Sequence, residues 1–137
     1  MTQSDAILVD AIWPHLRELL SVFAGGITVV DGTLACEVVR TANDAFLLRA
    51  YAAFRRHSGG GEVAITVDVQ RNDQHLSFES DVCTDDGTIV ATGPSATIPI
   101  SESQSCVEAS INGWMRDFEC FLSGSKSAVV AATSQLR

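Results

Sequence analysis

The most regular pattern in the chain is the alternation of apolar and polar residues between Glu62 and Ile100. Val63, Ile65, Val67 and Val69 are apolar and β-branched, and Ala64, Thr66, Asp68 and Gln70 fall between them. A period of two is that of a half-buried strand. Asn72-Asp73 follows as a tight-turn signal. Leu76, Phe78 and Val82 then face one way, and Ser77, Glu79 and Asp81 the other. A two-residue loop at Asn72-Asp73 predicts Val69 opposite Leu76, Val67 opposite Phe78, Ile65 opposite Ser80 and Val63 opposite Val82. The other face then pairs Asp68 with Ser77, Thr66 with Glu79 and Ala64 with Asp81. A one-residue slip would drive carboxylates into the apolar side, so the register reads as well specified. Asp85-Asp86-Gly87 is a second turn signal. A four-residue loop there keeps Val82, Ile89 and Ala91 on one face, whereas a three-residue loop puts Val90 there. Thr88–Ala91 and Ala96–Ile100 read as further extended chain. Gly93-Pro94 interrupts them, and because proline cannot donate to a ladder this part is an edge or a bend.

Helical periodicity frames this ribbon. Near the N-terminus Val9, Ile12, Leu16, Leu19, Leu20 and Phe23 form an amphipathic stripe that Ser4 is placed to cap. Pro14 predicts either a start or a kink there, and Gly25-Gly26 an end. Ile27–Val30 then reads as a short strand, Asp31-Gly32 as a hairpin turn and Leu34–Val39 as its second strand. Residues 45–57 satisfy two periods at once. Asn43 or Asp44 is placed to cap a helix through Phe46, Leu47, Ala50, Tyr51 and Phe54. Phe46, Leu48, Ala50, Ala52 and Phe54 also alternate as one face of a strand. Alanine content, the caps and the terminal Arg55-Arg56-His57 favour the helix. After Ile100, Ser105 and Glu108 read as a capping box. Val107, Ile111, Trp114, Met115, Phe118, Phe121 and Leu122 form a broad stripe that Gly124 is expected to stop. Burying that stripe contributes on the order of 1.5–3 kcal/mol per large side chain before entropy is subtracted.

The pattern predicts a single α+β domain over residues 1–124, with residues 125–137 as a frayed or disordered tail. Its antiparallel sheet of about five strands is packed by the N- and C-terminal helices on one face. With 137 residues, 46% of them apolar, the chain has material for a real core. The net charge of −8 argues against nucleic acid, whose phosphates need a basic footprint, and against an anionic membrane surface. No leader and no run near the ~18 residues of a membrane span is visible, so a cytoplasmic protein is expected. The cysteines, Cys36, Cys83, Cys106 and Cys120, form no CxxC and have no histidine at a ligand spacing. They read as reduced, mostly buried small apolar residues, and neither a metal nor another cofactor is expected.

Few residues propose chemistry. Asp68, Glu79 and Asp81 share one sheet face, where paired carboxylates do acid–base work only if one is desolvated. Their Thr and Ser neighbours predict a wet face instead, either simply solvated or receiving a basic partner together with Tyr51. Ion pairing of these carboxylates inside the chain would remove them as a binding surface. Gly59-Gly60-Gly61 lacks the Lys-Ser/Thr of a phosphate loop, and no GxSxG elbow is present. His15 reads as a surface residue, not a base. Trp114 and Phe118 read as core, or as a groove if only partly covered.

Two resemblances bear on function. Ala96-Thr-Ile-Pro-Ile-Ser101 leading into Cys106–Leu122 is similar to the last strand and amphipathic helix of class I type III secretion chaperones, and Asn43–Tyr51 resembles their third strand. That resemblance implies a homodimer that holds an unfolded segment of a secreted protein, with no catalytic residues. Where that family places a helix after its third strand, Glu62 here begins a strand directly. His75-Leu-Ser-Phe-Glu-Ser-Asp-Val with Asp86–Thr92 resembles the closing hairpin of hot-dog-fold acyl thioesterases and dehydratases. It implies a buried central helix at residues 45–57, which a strand there would eliminate.

The leading expectation is therefore an acidic, non-enzymatic protein-binding module, either secretion-chaperone-like or a toxin-neutralising immunity-type protein. Its partners would be a secreted effector or toxin segment and a second copy of itself. The alternatives are the hot-dog enzyme and a small-ligand binder with a cavity between sheet and C-terminal helix.

Overall fold

The computed structural model describes residues 3–41, 46–56 and 60–136. Its elements follow in the order α1 (Gln3–Val30), β1 (Leu34–Thr41), β2 (Leu48–Arg56), β3 (Glu62–Arg71), β4 (His75–Thr84), β5 (Ile89–Thr92), β6 (Ala96–Pro99) and α2 (Gln104–Ser134). The strands make one antiparallel sheet in the order β1-β2-β3-β4-β5, with β6 also on β4. β5 lies beside Asp81–Cys83 and β6 beside His75–Phe78, so together they form one edge strand broken at Gly93-Pro94. α1 packs on β1 and β2, α2 packs on β3 to β6, and the helices touch each other. Ile7 and Ala11 lie near Val107 and Ile111, and Phe23 and Gly26 near Leu122 and Lys126, so the helices run in the same direction. Both helices cover one sheet face, and among the described residues no helix covers the other, here called the bare face. This is the α+β architecture expected from the alternation.

The faces of the β3–β4 hairpin are as the alternation predicts, but its register differs. Val63, Ile65, Val67, Val69, Leu76, Phe78 and Val82 are all fully buried under the helices. The pairs, however, are Val69 with Phe78, Val67 with Ser80, Ile65 with Val82 and Thr66 with Asp81. The Asn72 N–H donates to the His75 carbonyl at 3.1 Å, so the corner residues are Asp73-Gln74, one later than expected. Moving the corner by one residue moves every pairing by two, which preserves the faces and changes the partners. At the next turn Gly87 takes φ +86°, a region that favours glycine. A bulge between Val82 and Cys83 leaves Val90 as the extra residue, with Val82 opposite Ala91 and Cys83 opposite Ile89. Ile89 therefore shares a face with Cys83 and not with Val82.

Both helices are longer than their sequence signals. α1 begins at Gln3, so Ser4 lies inside it, and it passes through Pro14 and Gly25-Gly26. Ile27, expected in a strand, is fully buried and continues the stripe from Leu16, Leu20 and Ala24. Burial outweighs a cost of roughly 1 kcal/mol per interior glycine. Asp31-Gly32 thus turns a helix, not a strand, into β1. The Asp31 carboxylate accepts from the Thr33 amide and hydroxyl. These bonds, and after them the Arg56 charge, hold its pKa below the usual carboxylate range. α2 is capped by Ser103, whose side chain accepts from the Cys106 amide at 3.4 Å, and not by Ser105. It passes through Gly124 into the expected tail, because Ser125, Val129 and Thr133 continue its buried stripe. Arg56 then donates to the carbonyls of Thr133 and Leu136, where the helix end needs donors.

The largest departure lies at residues 45–57. Residues 48–56 are strand β2, between β1 and β3. The proposed caps Asn43 and Asp44 fall outside the described residues. As a central strand β2 has neighbours on both edges and α1 over one face, which places Leu48, Ala50, Ala52 and Phe54 out of solvent, and Ala53 on the other face is buried among its neighbours. Its alanines, favourable to a helix in isolation, here keep side chains small between the sheet and α1.

At the broken edge the packing is closest. The Gly93 amide donates to the Ser80 carbonyl at 2.9 Å. The Ser80 hydroxyl and the Trp114 indole N–H both donate to the Pro94 carbonyl, at 2.9 and 3.1 Å. A Cβ at Gly93 would lie 2.4 Å from the Ser80 Oγ and 2.7 Å from the Phe121 ring. Gly93→Ala is expected to destabilise the fold by roughly 1–3 kcal/mol. At Gly124, in mid-helix, an added Cβ meets nothing within 4 Å. Gly124→Ala is expected to stabilise by about 0.5–1 kcal/mol. Urea unfolding of the two variants checks both signs.

Candidate functional site

The bare face of the sheet is where exposed polar groups are brought together. β1 to β4 supply it in cross-strand rows, with Ile89 of β5 beside Cys83. Arg49 of β2 faces Asp68 of β3, which faces Glu79 of β4. Val39 of β1, Tyr51, Thr66 and Asp81 form the next row. Glu37, Ala53, Ala64 and Cys83 form the third, and Arg55 with Glu62 the fourth. Ala53 and Ala64 are buried although no helix covers them, because larger neighbours rise around them. The result is a shallow basin of about 370 Å³, floored by Ala64 and walled by Tyr51, Thr66, Asp81 and Ile89.

The observed register decides the electrostatics of this basin. It sets Asp68 directly opposite Glu79, a like-charge pair that destabilises a sheet. Arg49 relieves it: its Nε and Nη2 donate to the two Asp68 carboxylate oxygens at 2.7 and 3.3 Å, while its guanidinium stacks 4.4 Å from the Phe46 ring centre. Arg55 donates to Glu62 at 2.7 Å. Thr66 donates to Asp81 at 2.8 Å, which leaves Asp81 its charge. Pairing inside the chain therefore removes Asp68 from the free acidic face, which corrects the expectation for that residue. Glu79 is exposed and has no partner among the described residues. Beside Tyr51, the charge left after the two ion pairs is that of Asp81 and Asp85 at the basin, with Glu37 and Glu79 on the rows around it.

Trp114 and Phe118 do not form a groove. They stack at 5.0 Å between ring centres and 9° between planes, with Phe78 4.9 Å from Trp114, and all three are buried. The pocket expected at Trp114 and Phe118 between sheet and α2 is filled by these rings. The hot-dog reading loses its central helix to β2. Among the described residues no group of three His, Cys, Asp or Glu side chains is placed to hold a metal ion.

The cysteines depart from the expectation of general burial. Cys36 and Cys83 are half-buried, and Cys106 and Cys120 are exposed on α2; all are free thiols. Burial, with Glu37 adding to it, pushes the Cys36 thiol up to about 11, and burial with the neighbouring Asp81 raises that of Cys83. Neither has the lowered pKa of a nucleophilic cysteine. His15 is exposed beside an apolar groove between the helices, lined by Leu19, Val22, Phe23 and Leu122.

Comparison with protein families, with curated proteins and with solved structures finds no match to this chain. Among the described residues no helix is long and apolar enough to cross a membrane.

Timed alkylation at pH 8 tests the thiol environments. Cys106 and Cys120 are expected to be modified first, and Cys36 and Cys83 only slowly, because a raised pKa lowers the thiolate fraction. Peptide mapping by mass spectrometry reads the order.

Proposed function

We propose that this chain is a non-enzymatic protein-binding module, of the secretion-chaperone or toxin-neutralising immunity type, whose bare sheet face receives a basic segment of its partner. The observation that carries this reading is the basin around Ala64, which neither helix covers and whose unpaired charge is negative. A segment lying across it would place apolar side chains on the small floor, against Tyr51 and Ile89. Its basic side chains would meet Asp81 and Asp85 at the basin, and Glu37 and Glu79 on the rows around it. The ion pairs Arg49–Asp68 and Arg55–Glu62 border the basin and need not be broken. The raised pKa of the basin's one thiol, Cys83, favours binding over covalent chemistry at this surface.

A panel of peptides alternating apolar residues with Lys or Arg, titrated by calorimetry, tests the reading. Binding is expected to weaken with added salt and to fall by about tenfold or more in a Glu79→Lys/Asp81→Lys variant. It should stay unchanged in Glu108→Lys, on the surface of α2. Equal binding to all three proteins, or no binding by any basic peptide, would sink it.

A further inference from the structure

The two edges of the sheet are built differently. On the β5–β6 side the strands have four residues each, the ladder is bulged at Val82/Cys83, and Pro94 and Pro99 have no N–H to donate. Short strands, bulges and prolines are the means by which proteins stop further strands from adding. β1 has none of them. Its eight residues pair one for one with β2, and no described strand lies beyond it. Cys36, Val38 and Val39 are only half-buried along this edge.

We propose that this chain forms a symmetric homodimer in which β1 pairs antiparallel with β1 of a second copy, about Val38. A two-fold axis through such a pair stands perpendicular to the sheet, so opposed residues must come from the same face and the axis runs midway between the two copies of one residue. An axis at Glu37 opposes two carboxylates, and one at Arg40 opposes two guanidinium groups. At Val38, valine meets valine, Glu37 meets Val39, Cys36 meets Arg40, and pairing runs from Ala35 to Thr41. An axis at Val39 avoids like charges too, but pairs only residues 37–41 within β1.

α1 agrees with this axis independently. At 100° per residue, Asp10, Trp13 and Arg17 share the flank turned away from the α2-facing Leu19 and Gly26. The Arg40 guanidinium lies 5.5 Å from the Trp13 ring centre, which places this flank over β1, two residues from Val38. Asp10 and Arg17 are exposed and have no ion-pair partner among the described residues. Two copies of α1 related by the same axis run antiparallel. With Trp13 near the axis, Asp10 of each faces Arg17 of the other, so one helix flank is complementary to itself. The dimer leaves both bare faces on the same side, as one sheet of twice the width.

Light scattering at micromolar concentration is expected to give the mass of two chains. With the four native cysteines changed to serine, Val38→Cys should oxidise to a covalent dimer with an unchanged circular dichroism spectrum. Ala35→Cys, which faces Thr41 of the second copy, should not. Asp10→Arg and Arg17→Asp, both at exposed positions, should each raise the dimer dissociation constant roughly tenfold at low salt, and the double reversal should restore it. A single-chain mass overturns the proposal, including one that changes only when a basic peptide is added. So does a dimer cross-linked through Val22→Cys and not Val38→Cys, or a double reversal that is weaker than either single change. None of these outcomes depends on the peptide titrations, so the dimer and the partner-binding reading stand or fall separately.

Discussion

The fold depends on how a broken edge strand is sealed against the core. At Gly93-Pro94 the ladder stops, and the carbonyl of half-buried Pro94 and the hydroxyl of buried Ser80 are left to satisfy. The Pro94 carbonyl takes both the Ser80 hydroxyl and the Trp114 indole N–H, and the side chain of Phe121 packs against the bare Gly93 backbone. This single point holds the edge of the sheet, the middle of α2 and the one polar residue of the β4 core face, Ser80. An unsatisfied polar group here would cost about 1–3 kcal/mol. Trp114 is therefore both the centre of the aromatic stack with Phe78 and Phe118 and the hydrogen-bond donor that seals the strand break.

Because both long helices lie on the same side, neither of them covers the second face of the sheet. Its stability comes from cross-strand neighbours. Arg49 and Arg55 neutralise carboxylates directly opposite them, and Thr66 donates to Asp81. Exposed pairs of this kind contribute only about 0.2–1 kcal/mol each. Their larger consequence is spatial. They leave the free negative charge to Asp81 and Asp85 at the basin and to Glu37 and Glu79 around it, about a floor of alanine. The contrast between a protected β5–β6 edge and an unprotected β1 edge likewise concerns what lies outside the chain and not what holds it together.

The sequence by itself determined the periodicities that survive any packing. The strict alternation of Val63–Val69 and Leu76–Val82 required a two-faced hairpin, and the aromatic stripe of α2 required a partner surface. Gly93-Pro94 forbade a continuous edge strand. The carboxylates of Asp68, Glu79 and Asp81 were legible as sharing one face for the same reason.

Only the tertiary structure decided the rest. Which of two adjacent residue pairs forms a hairpin corner is a small local energy difference, yet it moved every cross-strand partner on β4 by two and set Asp68 opposite Glu79. Residues 48–56 carry both a helical and a strand period. Local propensity favoured the helix, and the gain from burying β2 between two neighbours overrode it. The glycines at 25, 26 and 124 are breakers in an isolated helix. Inside α1 and α2 the burial of Ile27 and Val129 beyond them outweighs their cost. Local signals act within a few residues, whereas burial is a sum over contacts from distant parts of the chain. The elements whose identity depended on that sum were therefore the ones that the sequence left open or misplaced.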